Sequence, residues 1–149
     1  MHIALTLDRN MSSRNQIVIS SVDYARLEPI IRDAVATGSN ARQLLCALKS
    51  KIDQARVLEP CKMPGDVVTM NSAVRVRDLD IKEVEAYTLV YPTFADIARN
   101  FLSVLTPVGI ALLGHRQGET VDGVSLLGPT RLRVEQVEFQ PESAGQYDV

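Results

Sequence analysis

The chain has 149 residues, enough for one ordinary domain or a small domain carrying an appendage and too few for a multidomain enzyme. With 46% hydrophobic and 23% charged residues it can bury a core, while 5% aromatics and no Trp leave no stacking platform for single-stranded nucleic acid. The 16 basic and 18 acidic residues give a net charge of −2, without the basic footprint that phosphate backbones demand, so no sequence-specific nucleic acid partner is expected.

Residues 1–15 stand apart. Met1 to Asn10 has no clear period, and Met11 with Ser12-Ser13-Arg14-Asn15 reads as a second beginning, so a flexible extension is expected. The start lacks the basic-then-apolar layout of a secretory signal, and Cys46 and Cys61 show no pairing pattern. The apolar stretch 104–113 is interrupted by Thr106 and Pro107 and falls well short of a membrane span. A soluble cytoplasmic protein with no membrane partner is the expectation.

Residues 16–63 read as a helical arm. Ile17, Val18 and Ile19 make a β-branched lead-in, and Ser20 and Ser21 are good N-cap residues. Tyr24, Leu27, Ile31 and Ala34 recur at steps of three and four, widened by Ile30 and Val35, which defines one apolar helix face. Pro29 removes the N–H that would bond the Ala25 carbonyl, so a kink or restart is expected there. Thr37-Gly38-Ser39-Asn40 stops this helix with a glycine and starts the next with Asn40, at capping-box spacing from Gln43. Ala41, Leu45, Leu48, Ile52 and Ala55 keep a seam along a second helix over 41–57, about 25 Å long at ~1.5 Å per residue. The pair forms a short antiparallel coiled-coil hairpin, closed by Pro60 and the Met63-Pro64-Gly65-Asp66 cluster.

Over residues 64–149 the period changes to two. Val68, Met70, Val74 and Val76 share a face opposite Arg75 and Arg77, and further strands are predicted at 84–90, 101–105, 121–126 and 131–139. A phase change around Glu135-Gln136 predicts a bulge. Between two strands, Thr106 caps a short helix, Pro107 takes its first position and Gly114 closes it. The expected fold class is α+β: an N-terminal helical hairpin followed by an antiparallel sheet domain with one short helix.

No catalytic constellation appears. His2 and His115 lack convergent partners, no Ser occupies a Gly-x-Ser-x-Gly elbow, and neither Cys is flanked as an activated thiolate. Asp78 and Asp80 come nearest to a metal pair and read as a solvated turn; the glycines from Gly114 to Gly118 and from Gly123 to Gly128 read as turns rather than phosphate loops. Arg75, Arg77, Arg131 and Arg133 read as a solvated strand face in preference to a partner stripe. Residues 21–63 hold seven basic against five acidic residues, whereas 64–149 hold seven against twelve, so the arm is mildly basic. These residues point to a binding module, with no catalytic residue, no metal, no cofactor and no direct small-molecule substrate.

The segment Ser103-Val104-Leu105-Thr106-Pro107-Val108-Gly109-Ile110-Ala111-Leu112-Leu113, followed by Gly118-Glu119, closely resembles the C-terminal signature of the bacterial transcript cleavage factors GreA and GreB, with Thr106 where those factors carry Ser. Met63 to Ser72, Leu89-Val90-Tyr91-Pro92 and Phe139 to Gly145 resemble still more the Gre-related regulators of nucleoside diphosphate kinase. The resemblance runs from about Ser12 to the end. It implies an FK506-binding-protein-like domain that docks at the rim of the RNA polymerase secondary channel, with a helical hairpin projecting from it. It also implies that the loop before the signature proline, here Leu105, Thr106, Pro107 and Val108, contacts the polymerase. In the cleavage factors two acidic residues at the hairpin tip help hold the second Mg²⁺. Here the arm tip Thr37-Gly38-Ser39-Asn40 has no carboxylate, and Asp33 lies about a helical turn back with no acidic neighbour before Asp53.

The expected function is therefore a non-catalytic regulator that binds core RNA polymerase and competes with cleavage factors. Two alternatives accompany it. A peptidyl-prolyl isomerase would rest on the fold analogy and need clustered aromatics, which Tyr87, Tyr91, Phe94, Phe101, Phe139 and Tyr147 do not form in sequence. A true cleavage stimulator would need Asp33 displaced toward the tip.

Overall fold

The computed structural model describes residues 16–38, 41–125 and 128–147. The predicted extension 1–15 and the tip residues Ser39 and Asn40 lie outside the described residues.

Strand β1 (Val18–Ser20) leads directly into helix α1 (Ser21–Ala36). Ser20 is its N-cap, the side-chain oxygen accepting from the Asp23 N–H at 3.0 Å. Leu27 and Ile31 are buried on the predicted face. The helix runs through Pro29 without the expected restart, because proline forfeits one hydrogen bond there while the apolar face continues on both sides. Thr37 and Gly38 end it by donating to the carbonyls of Asp33 and Val35, with Gly38 at φ +73° and open space around its missing Cβ.

Helix α2 (Arg42–Gln54) packs back along α1 and buries Leu45, Leu48 and Ile52 on the predicted seam. Both of its predicted ends are corrected. Ala41 is the N-cap, with no side-chain cap bond, and the helix begins at Arg42, while the predicted cap Asn40 lies outside the described residues. At the other end Ala55 turns extended, and Arg56–Leu58 forms strand β2 instead of a last helical turn. The Arg56 N–H donates to the Ile17 carbonyl at 2.9 Å, and β2 pairs in parallel with β1. The hairpin is thereby closed at its root by a two-stranded sheet.

The C-terminal part is built on five strands: β3 (Ala73–Asp78), β4 (Glu83–Val90), β5 (Phe101–Ser103), β6 (Thr120–Ser125) and β7 (Gly128–Phe139), in the spatial order β5-β4-β3-β7-β6. The sheet is mixed, not wholly antiparallel, because β5 runs parallel to β4. The connection carries 3₁₀ turns at Pro92–Phe94 and Ile97–Arg99, the second closed by Asn100 at φ 57°, and returns the chain in the same direction. Residues 68 and 70, expected in a strand, belong to a tight turn before β3, where Asn71 takes φ 67° and the Thr69 and Ser72 hydroxyls bond each other.

The predicted alternation holds in β3 and β7: Val74, Val76, Leu132 and Val134 are buried, and Arg75, Arg131 and Arg133 are exposed. The β3/β7 register slips at Glu135, as the phase change predicted, and again at Glu138. Each extra residue meets an arginine of β3, Arg77 with Glu135 at 2.9 Å and Arg75 with Glu138 at 3.3 Å, so half of the expected arginine stripe is already paired. Asp78 and Asp80 accept from turn N–H groups and from the Thr130 hydroxyl, which is the turn role predicted for them.

Helix α3 (Pro107–Leu112) covers the sheet beside β6. One apolar core joins the arm to the sheet, from Ile19, Leu27, Leu48 and Ile52 through Val68, Met70 and Leu89 to Val104, Leu112, Leu113 and Val134. No helix among the described residues is long and apolar enough to cross a membrane.

Candidate functional site

The segment from β5 into α3 is a corner whose shape is fixed by a closed set of local bonds. Val104 is fully buried and anchors it. The Ser103 Oγ accepts from the Leu105 N–H at 3.0 Å. The Thr106 hydroxyl donates to the Ser103 carbonyl at 2.8 Å and accepts from the Gly109 N–H at 3.0 Å, so one side chain ties strand end to helix start. Pro107 fills the first helical position, where its missing N–H is not needed. Gly109 allows the closure: a Cβ on it would stand 2.3 Å from the Ser103 carbonyl oxygen.

Of the four residues singled out by sequence, Pro107 is exposed at the apex, while Leu105, Thr106 and Val108 are half-buried beside it. Leu105 and Val108 pack partly against the core, so they present edges to solvent rather than whole side chains. The corner is a tightly bonded, mostly apolar projection with no ionisable group in 103–109, and its two hydroxyls, of Ser103 and Thr106, are engaged in local hydrogen bonds. Thr106→Val is expected to lower stability by ~1 kcal/mol through loss of the cap, while Thr106→Ser keeps it; thermal unfolding of the two variants measures the difference.

At its far end α3 meets the arm. Lys51, on the last turn of α2, donates to the carbonyls of Ile110 and Ala111. Burial pushes its pKa down to about 7, with the Glu119 charge pulling the other way. His115 follows the Gly114 turn, its Nδ1 3.5 Å from the Glu119 carboxylate; burial, with Lys51 adding to it, pushes its pKa down to about 4. Sequence singled out His115 and passed over Lys51, although Lys51 lies three residues after Leu48 and four before Ala55, a spacing that turns it inward.

The other root of the arm holds a second buried ionisable group. Asp23 in the first turn of α1 accepts from the Met70 N–H at 3.0 Å and from the Tyr91 hydroxyl at 3.2 Å. Burial pushes it up to about 7, against the Met70 hydrogen bond and helped by the charge of Glu142, itself buried and bonded to the Thr69 hydroxyl. The Tyr91 hydroxyl is held well above its usual range by burial and by Asp23.

At the tip, Thr37 and Gly38 are exposed and the Thr37 hydroxyl donates to the Ala34 carbonyl. Asp33 is exposed one turn below, its carbonyl accepting from Thr37 N–H. Asp53 is engaged near the root by Lys49 at 2.8 Å and by the Tyr24 hydroxyl at 3.0 Å.

A groove of about 700 Å³ lies between α1 and the β4/β5 edge, lined among others by Arg26, Ile30, Val90, Tyr91, Phe94 and Phe101. The aromatics are therefore less dispersed than the sequence suggests: the 3₁₀ turn after Tyr91 and the return through β5 bring three of them to one surface.

Residues 63–139 match the family model for the C-terminal domain of the transcription elongation factors GreA and GreB, which takes in the whole corner and the five strands. The chain belongs to the GreA/GreB family. Within that family it is 39% identical over 140 residues to the regulator of nucleoside diphosphate kinase of Escherichia coli (strain K12), an alignment covering 91% of this chain and 98% of that protein. It is 31% identical over 117 residues to transcription elongation factor GreA of Nitratidesulfovibrio vulgaris (strain DSM 19637 / Miyazaki F), covering 74% and 73% of the two. The solved GreA/GreB elongation factor from Nitrosomonas europaea superposes with a TM-score of 0.70 at 37% identity, over 83% of this chain and all of that one. The Thr106, Pro107 and Gly109 geometry is thus built by residues inside the GreA/GreB family match, whereas Asp23 and Lys51 lie before residue 63.

Proposed function

We propose that this GreA/GreB-family protein is a non-catalytic regulator of transcription elongation that docks on core RNA polymerase at the rim of the secondary channel and competes there with transcript cleavage factors. Leu105, Thr106, Pro107 and Val108 make the docking corner; the arm of residues 16–63, read as a short coiled coil, enters or covers the channel mouth. Residues 64–149 serve as the docking domain, read as FK506-binding-protein-like. The observation that carries the reading is the union of a rigid family corner with an arm tip free of carboxylates. Cleavage stimulation needs acidic groups to help hold a second metal ion, and Thr37-Gly38-Ser39-Asn40 supplies none. Asp33 and Asp53 do not replace them, the first set back by a turn and the second bonded near the root. An effect on nucleoside diphosphate kinase, the activity named for the relative from Escherichia coli, would arise indirectly through transcription.

A backtracked elongation complex tests this directly. Added alone, the protein is expected to leave the RNA at full length in the presence of Mg²⁺; added with GreA or GreB, it slows their shortening of the RNA in proportion to its excess. Shortening by the protein alone would revive the cleavage reading.

The aromatic groove gives the isomerase reading its one physical support. It is the weaker reading, because the Tyr91 hydroxyl there is already committed to Asp23 and Phe94 is 65% exposed, so no enclosed proline cage forms. A proline-isomerisation assay is expected to match buffer.

A further inference from the structure

Helix α3 has only six residues, and its last carbonyls need donors from beyond the helix. The ordinary donor to the Ile110 carbonyl is the N–H of Gly114, which instead goes to the Val68 carbonyl at 2.9 Å. The ordinary donor to the Ala111 carbonyl is the N–H of His115, which goes to Leu112 at 3.1 Å. Both diversions follow from the sharp turn at Gly114, whose φ of +84° and close approach to Ile17 and Val18 redirect the chain. The missing donors come from a side chain 59 and 60 residues away: Lys51 Nζ reaches both carbonyls, the second at 3.0 Å. The helix that presents the docking corner at one end is therefore finished at the other by a residue of the arm.

We infer that Lys51 is a positioning residue that locks the direction of the arm to the docking corner, so that an arm seated through Leu105 to Val108 points one way into its partner. The part that concerns the partner rests on the function proposed above; the lock itself is a property of the free protein. Two carbonyls close in space accept from one nitrogen, which fixes Lys51 both along and around α3, where a purely apolar contact between α2 and α3 would permit sliding. The arm is thus held at two points, by Lys51 through α2 and by Asp23 through α1.

Labelled thiols supply the test. Cys46 on α2 is free and exposed, Cys61, which lies within residues 16–63, is removed as Cys61→Ser, and the exposed Glu85 of β4 is replaced as Glu85→Cys. Spin labels at positions 46 and 85 report the arm-to-sheet distance distribution. Lys51→Met is expected roughly to double its width, Lys51→Arg to keep it near wild type, and Lys51→Gln to fall between, because its amide N–H groups are neutral and carried on a shorter side chain than the Lys51 ammonium. If Lys51→Met fails to fold, the order of Arg and Gln carries the test. Widths for Met and Gln equal to wild type would overturn the inference. In a polymerase assay Lys51→Met should bind with little change yet lose roughly tenfold in its power to slow cleavage-factor action. Failure of wild type to bind polymerase would reject the proposed function and leave the distance result standing on its own.

Discussion

Gly109→Ala is expected to destabilise the protein by about 2–4 kcal/mol, read as a lower urea midpoint at unchanged slope. The added methyl would lie 2.3 Å from the Ser103 carbonyl oxygen, 2.9 Å from Thr106 Oγ1 and 3.0 Å from Val104 Cα. Two of those three are backbone atoms and cannot swing aside. The third is the hydroxyl that caps α3 and ties it to β5, so relief of the clash would break the cap. The gain in helix propensity from Gly to Ala, at most ~1 kcal/mol, is too small to offset this. Gly65 provides the contrast: a Cβ there approaches only the Ser143 side-chain oxygen at 3.0 Å, and Gly65→Ala should cost less than about 1 kcal/mol. An unchanged midpoint for Gly109→Ala would mean that the corner is not the rigid unit described. If the corner docks as proposed, the same substitution also weakens polymerase binding, because it displaces Pro107.

Asp23→Asn should change the pH dependence of stability between pH 4 and 8. The folded protein holds Asp23 up to about 7 against an ordinary value of 3.8, so folding favours its protonated form. Its contribution is fully present below the ordinary value and is lost as pH rises through about 7. At pH 8 the carboxylate is buried at a cost, and the neutral asparagine should make the protein more stable than wild type by roughly 2–3 kcal/mol. At pH 4, where Asp23 is protonated, the two proteins should differ by less than about 1 kcal/mol, because a carboxylic acid and an amide each offer one carbonyl oxygen to the Met70 N–H and one donor group to the Tyr91 hydroxyl. The groups facing Asp23 are Tyr91, Glu142 and, through Tyr91, Arg26.

The wild-type curve alone would hide this effect. His115 is held down to about 4, so its contribution is present above 6.5 and lost as pH falls through 4, opposite in sign to Asp23 over the same window. Lys51, lowered to about 7, acts mainly above that pH, where stability rises toward its ordinary value of 10.5. The difference between wild type and Asp23→Asn, measured by urea unfolding from pH 4 to 8, isolates the aspartate. A difference that does not vary with pH would contradict a buried, raised Asp23.

What was legible in the sequence is what short-range chemistry decides. The seam Leu45, Leu48 and Ile52, the Ser20 cap, the Thr106-Pro107 helix start and the bulge at Glu135 all depend on neighbours within a few residues, and each is present. The errors share the opposite character. Val57 continues a helical pattern locally, but Ile17 to Ser20, some 40 residues earlier, offers an extended partner that takes Arg56 to Leu58 into a sheet. The three residues of β5 carry no directional signal, and only their pairing with Thr88 to Val90 makes the sheet mixed.

The corner between β5 and α3 could be located from its motif, yet the reason for Gly109 is the carbonyl of Ser103 folded back over it, which a sequence does not display. In sequence nothing separates Asp23 and Lys51 from the other charges of the mildly basic arm. Each is buried by an element distant in sequence, the 67–72 turn for one and α3 for the other. The groove of Tyr91, Phe94 and Phe101 was hidden for the same reason, since the parallel return through β5 assembles it.

The most direct test of the proposed function is binding of labelled protein to purified core RNA polymerase, with and without excess GreA or GreB, for wild type and Pro107→Ala. Saturable binding that the cleavage factor displaces, and that Pro107→Ala weakens several-fold without loss of fold, is the predicted result. Absence of binding, or binding that an excess of cleavage factor leaves intact, would contradict it.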